Sequence, residues 1–385
     1  MTSIFTELEQ TLETEGPDRA LERLCVELRQ RRDYHGLFYG LLLRRWVALG
    51  LPPVQLGNED RLAPAQREAY LSAFREAART VGQLCLDEGD VIGAWPFFRS
   101  IGERAPIAAA IERATADDSE RTSQLIEIAL HEGANPRKGF ELLLERYGIC
   151  SAITTLSQEL PISSADREAC VRRLVRALYD ELRGRLADEI ARREGTAPPP
   201  EATVGQMVQG RAWLAEEDTY LIDVSHLGSV VQFSLGLPPC PELQLAIELC
   251  EFGAKLPARF QPSADVPFEN QYEDFRIYLR TLAGEEVAEG IAHFRAKAET
   301  VRPEEAGTLP GEVLVSLLHR LGRHREAVQA YARYLAQADT RRLSCPSLVE
   351  LCELVGDYQP LVDVAMRRGD LLNYTAGLLQ ARRGT

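Results

Sequence analysis

The chain has 385 residues, 45% hydrophobic and 26% charged, with a formal net charge of −14. That is room for two or three domains, or for one extended repeat, at the composition of a folded soluble protein. So acidic a surface repels a phosphate backbone, which argues against nucleic acid or an anionic membrane as a partner.

The opening stretch, MTSIFTELEQTLETEGPDRA, is acidic and has no apolar core of signal-peptide length. No stretch approaches the ~20 apolar residues that span a bilayer. A cytoplasmic chain without a membrane partner is expected. Phe5, Leu8 and Leu12 recur at helical spacing, and Gly16-Pro17-Asp18 closes that helix and opens the next, ALERLCVELRQR. A largely apolar helix follows over 34–49, with Pro52-Pro53 beyond it, then a long one over 64–87. Shorter helices are predicted at 90–103, 105–117 and 119–131. Asn135-Pro136 reads as an N-cap with proline at the first helical position, restarting the chain through Arg146. In YGICSAITTLSQ, Cys150 sits where a helix dipole would lower a thiol pKa, or else is a buried helix residue. The other cysteines show no C-x-x-C pairing and read as buried thiols of a reducing compartment. The Arg clusters, such as Arg172-Arg173, have acids close by and read as solvated faces.

A long amphipathic helix over 163–194 ends at GTAPPPEATVG, where three consecutive prolines stop any helix. This suggests three parts: a helical domain 1–194, a linker with a β element 195–240, and a second helical domain 241–385. Within 219–235, TYLIDVSHLGSVVQFSL, alternation predicts a β-hairpin. Tyr220, Ile222 and Val224 would face one way, and Gly228 would supply a positive φ in the HLGS turn. Such a hairpin would need helices, or a strand from 211–220 or 259–268, to cover its apolar face.

Helices resume from 241. In VLVSLLHRLGRHREAVQAYARYLAQ (313–337), Leu314, Leu318 and Leu321 form an inner face, Gly322 a turn, Ala327 a close helix approach, and Tyr331 a groove filler. Gly356 lies 34 residues beyond Gly322, and Leu348, Cys352 and Val355 repeat the leucine positions. Over 311–366 the chain resembles a tetratricopeptide repeat, with weaker echoes at Gly89/Ala94/Phe98 and Gly284/Phe294. Leu361, Val315 and Asp339 depart from that pattern, in which small residues and a proline are usual. The resemblance implies an all-α, solenoid-like array of antiparallel helix pairs, with a concave surface that holds a peptide, a helix or another protein.

Catalytic signatures are scarce. The three lysines, Lys138, Lys255 and Lys297, lie in no phosphate-binding loop, and G-x-G-x-x-G is absent, so no nucleotide cofactor is expected. Asp223, Ser225 and His226 have the residue types of a hydrolase triad, but strand neighbours project to opposite faces and there is no G-x-S-x-G elbow. His319 and His324, five apart and flanked by Arg, read as a solvated face, and His293 belongs to the same helical region. His35, His131 with Glu132, and His226 with Asp223 stand at element ends. Brought together, they would hold zinc or another divalent metal, or perform acid–base chemistry between the helical halves at the hairpin turn. The favoured expectation is a non-enzymatic scaffold. Against it stand that enzyme and a purely structural subunit, which would expose a broad apolar outer face.

Overall fold

In the computed structural model, residues 3–56, 62–216, 221–261, 264–300 and 307–383 are described. The chain divides into two compact units, Met1–Arg167 and Glu168–Thr385. Nineteen α-helices occur among the described residues, and no strand. None of these helices is long and apolar enough to cross a membrane.

The first unit contains α1 (Ile4–Glu15), α2 (Pro17–Gln30), α3 (Tyr34–Ala48), α4 (Pro64–Asp87), α5 (Val91–Ser100), α6 (Ala105–Ile111), α7 (Glu120–Ile126) and α8 (Pro136–Leu156). From α1 to α6 each helix packs on the next; α5 also meets α7, and α7 meets α8. Apolar spacing explains the contacts: Leu37, Phe38, Leu42 and Trp46 of α3 face Tyr70, Ala77, Ala78 and Val81 of α4 in one core. Trp46 and Tyr70 meet edge to face at 5.3 Å, and the Trp46 indole N–H donates to the Pro52 carbonyl at 3.0 Å. After α7 the helix widens into a π-turn, Glu127–His131. Within α8, Gly148 (φ 76°, ψ −175°) breaks the helical backbone, so Cys150 sits just after a restart and is exposed rather than buried.

The second unit begins near the start of α9 (Ser164–Glu194), and the proline-rich residues 195–200 lie within it. It continues with α10 (Val204–Val208), α11 (Val224–Ser234), α12 (Pro241–Gly253), α13 (Gln271–Leu282), α14 (Val287–Thr300), α15 (Leu309–Arg320), α16 (His324–Ala330), α17 (Leu348–Val355), α18 (Gln359–Arg368) and α19 (Leu371–Arg383). From α11 to α19 every helix packs on its successor. Gly322 (φ 71°) and Gly356 (φ 74°) both take the left-handed conformation, at the α15–α16 and α17–α18 turns. Leu314 and Leu318 are buried, as are their 34-residue counterparts Leu348 and Cys352. Arg320 of α15 donates to the Leu235 and Leu237 carbonyls just past α11, capping that helix from afar.

The hairpin expected over 219–235 is not there. Thr219 and Tyr220 lie outside the described residues; Leu221 and Ile222 are buried without strand pairing, and Val224–Ser234 is helix. Asp223 caps it, accepting from the Ser225 amide at 2.8 Å. Leu227, Val230, Val231 and Ser234 fall at three- and four-residue steps and are all fully buried. That helical stripe overrides the strand preference of the valines. Gly228 sits inside the helix, buried, and does not have the positive φ that a turn would need.

One close approach sets the α13–α14 distance. A Cβ on Gly290 would stand 1.8 Å from Oγ1 of the buried Thr281. Gly290→Ala should therefore destabilise the second unit by about 1–3 kcal/mol through overpacking. Gly184→Ala, at an exposed α9 position with nothing in reach, should stabilise by about 0.5–1 kcal/mol. Urea titrations of the two variants check both signs.

Candidate functional site: two aromatic grooves beside α5

Two helix starts in the first unit share one local design. In Asp33-Tyr34-His35-Gly36 and Asp90-Val91-Ile92-Gly93, the aspartate N-caps the helix by accepting the glycine amide, at 2.8 and 2.9 Å. A Cβ at Gly36 or Gly93 would stand 2.4 or 2.1 Å from the capping carboxylate, so a larger residue there would have to displace the cap from its present position. Each glycine is followed two residues on by a large aromatic, Phe38 in α3 and Trp95 in α5. Those two side chains build the grooves.

The first groove, about 620 Å³, lies among α3, α4 and α5. Its floor is Phe38, with Phe74 and Phe97 edge-on or tilted at 5.3 and 5.4 Å. Tyr39, 49% exposed, stands at the rim, stacked edge-wise on His35 at 5.0 Å. Asp33 and Asp90 add negative charge. Tyr34 also lines this groove and donates to Glu88 at 2.5 Å, a bond that raises its phenol pKa. Cys85 lines the groove too, its thiol pushed up to about 11 by burial.

The second groove, about 560 Å³, opens on the other side of α5 against α7 and its π-turn. Ile92, Trp95 and Ile128 supply apolar lining, and Arg99, Glu127 and Glu132 supply charge. The Trp95 indole donates to Glu132 at 3.0 Å, and Arg99 pairs with the same carboxylate. Pro96 and Ser100 border both grooves. Pro96 stands inside α5 and has no N–H for the Ile92 carbonyl.

The residues singled out from sequence are scattered over these features. His35 lines the first groove and Glu132 the second; His131, the last residue of the π-turn, lines neither. Asp223 and His226 stand in the first turn of α11, in the second unit, where Asp223 is hydrogen-bonded to Ser225, an interaction that lowers its pKa. The turn on which the acid–base reading relied is thus a capped helix start. Among the described residues no three His, Cys, Asp or Glu side chains are grouped as a metal ion requires. His319 and His324 are half-buried rather than solvated; their rings face each other at 5.2 Å and both Nδ1 atoms are enclosed.

Sequence reasoning missed the buried charges of the second unit. Asp274, 1% exposed, accepts from the Asn270 amide at 2.9 Å and holds both His293 (2.8 Å) and Lys297 (2.7 Å) of α14. Lys297 also donates to the Pro267 carbonyl and pairs with Glu269. Every group in this cluster is committed to tying α13, α14 and the preceding loop together. Arg172 and Arg176 of α9 flank Glu242, 1% exposed in the first turn of α12, so Arg172 is no mere solvated face. No short-range sequence pattern signals such pairs. The grooves did have a signal, the repeated D-x-x-G-x-aromatic string.

Set beside known protein families, curated proteins and solved structures, the chain matches none of them.

Glu312, 6% exposed, accepts from the Ser344 amide and hydroxyl, each at 2.7 Å, and from Thr308 at 2.6 Å. Burial pushes its carboxyl up, but these donors outweigh that and leave the pKa below the usual glutamate value. Its stabilising contribution is therefore complete above the unfolded pKa of about 4.3 and is lost as pH falls through the lower folded value. Glu312→Gln should cost about 1–3 kcal/mol at neutral pH and flatten the acid side of a stability–pH curve measured by urea denaturation.

Proposed function

We propose that this chain is a non-catalytic, tetratricopeptide-like scaffold of the cytoplasm that holds a peptide or protein partner in the grooves beside α5. The observation that carries this reading is the first groove. It has a floor of packed aromatic rings, a half-exposed tyrosine at its rim and charged neighbours around it, the composition of a recognition hot spot. An apolar side chain of the partner would enter over Phe38, and a cationic group beside it would meet Asp33 and Asp90. The segment would cross Pro96 to reach Trp95 and Arg99. Packing of successive helices over α1 to α6 and α11 to α19, and paired left-handed glycines 34 residues apart, support the repeat-like reading. Eight free thiols fit a reducing compartment.

Selection of binders from a displayed random-peptide library, followed by calorimetry, tests the proposal. Tyr39→Ala should weaken a selected peptide about ten-fold, roughly 1.4 kcal/mol. Tyr147→Ala, a half-exposed tyrosine that lines neither groove, should leave affinity unchanged. Failure to select any peptide, or equal losses in both variants, would sink the reading.

A further inference from the structure

Two helices hold apolar side chains in solvent in matching patterns. On α19, Leu371, Leu372 and Leu379 are 79, 78 and 59% exposed, and Met366 near the end of α18 is 62% exposed. On α1, Phe5 is 79% and Leu12 52% exposed, and no side chain of that helix is buried. Scattered single leucines on a surface need no explanation, but aligned ones do. Phe5 and Leu12 lie seven residues apart, as do Leu372 and Leu379. Each pair therefore occupies one helix face, about 10.5 Å from end to end.

Their charges are opposite. Through Gly16 the chain carries Glu7, Glu9, Glu13 and Glu15 and no basic residue. From Met366 onward it carries Arg367, Arg368, Arg382 and Arg383 against one acid, Asp370. Glu7 is paired with Arg23 of α2, while Glu9, Glu13 and Glu15 are exposed.

We propose that α19 of one copy packs on α1 of a second copy, parallel and head to tail. Phe5 lies against Leu372, Leu12 against Leu379 and Glu15 beside Arg382, and a single register satisfies all three pairs. The antiparallel arrangement would also match the apolar residues, but it brings Glu15 to Gly369, beside the acid Asp370 and beside an Arg368 whose guanidinium already donates to the Ala338 carbonyl at 2.7 Å. Charge thus selects the parallel register. Because the two faces differ, the contact is heterologous and extends to a ring or an open chain rather than stopping at a two-fold dimer.

Sedimentation velocity on the full chain over a wide concentration range tests this. The expected result is a weight-average mass that rises above one chain with concentration. Leu372→Glu, a change on an exposed face, should restore single-chain mass throughout, with helical circular dichroism unchanged. Glu15→Arg should weaken association about five-fold, and Glu15→Arg with Arg382→Glu should return it to the wild-type level. In a Cys150→Ser background, Phe5→Cys chains mixed with Leu372→Cys chains should cross-link to one another. Single-chain mass at every concentration, no recovery in the charge swap, or Leu372→Cys chains cross-linking to themselves would overturn the proposal. Tyr39→Ala should not alter the association, so this inference and the groove reading fail separately.

Discussion

A helix of eight to fifteen residues with a broad apolar stripe is unstable alone, because its own backbone cannot offset the entropy of ordering. The run α11 to α19 answers that constraint by giving each helix a successor that covers its stripe. In α15 the cover comes from both sides, and Leu314, Val315, Leu317 and Leu318 have no exposure at all. At roughly 25 cal/mol per Å² of apolar surface, burial on this scale is the main term holding either unit together. The helices at the ends of such runs, covered from one side only, show the converse: α1 buries no side chain, and α19 keeps three leucines more than half exposed.

Turn chemistry converts this stacking into a shaped surface. The Asp-x-x-Gly starts of α3 and α5 fix where each helix begins, and so place Phe38 and Trp95 at the same step of their helices. The two grooves follow from that repetition, with α5 as their common wall. The α2–α3 turn achieves this with Arg32 at φ 58°, where the α4–α5 turn uses Gly89 at φ 78°. A non-glycine residue there costs about 1–2 kcal/mol, offset by the packing of the helices it joins.

Consecutive packing alone would leave the second unit's longer connections loosely specified. Buried polar groups supply the missing definition. Asp274 ties α13 to α14, Glu242 joins α12 to α9, Glu312 holds the segment at Ser344, and Arg320 closes on the end of α11. Each would be expensive to leave without its partner, so each penalises alternative arrangements of the same helices. The His293–Asp274 pair belongs to this set. Its carboxylate is shared with Lys297, which makes it a bracket rather than an acid–base dyad.

What the sequence determined by itself was local. Helix positions, proline and glycine boundaries and the Asn135 cap depend on residues a few positions apart, where spacing and backbone preference decide the outcome, and the recurrence of Gly322 at Gly356 was legible as a repeat of one such local pattern. Even there one stretch misled: the valines of Val224–Ser234 suit a strand, and only burial of Leu227, Val230 and Val231 on a single stripe made it a helix. The tertiary structure alone decided which helices meet, and so brought Phe74 and Phe97 to Phe38, Glu242 to Arg172, and His319 to face His324. Those contacts depend on where distant segments lie in space, and no short-range pattern of residues encodes that distance.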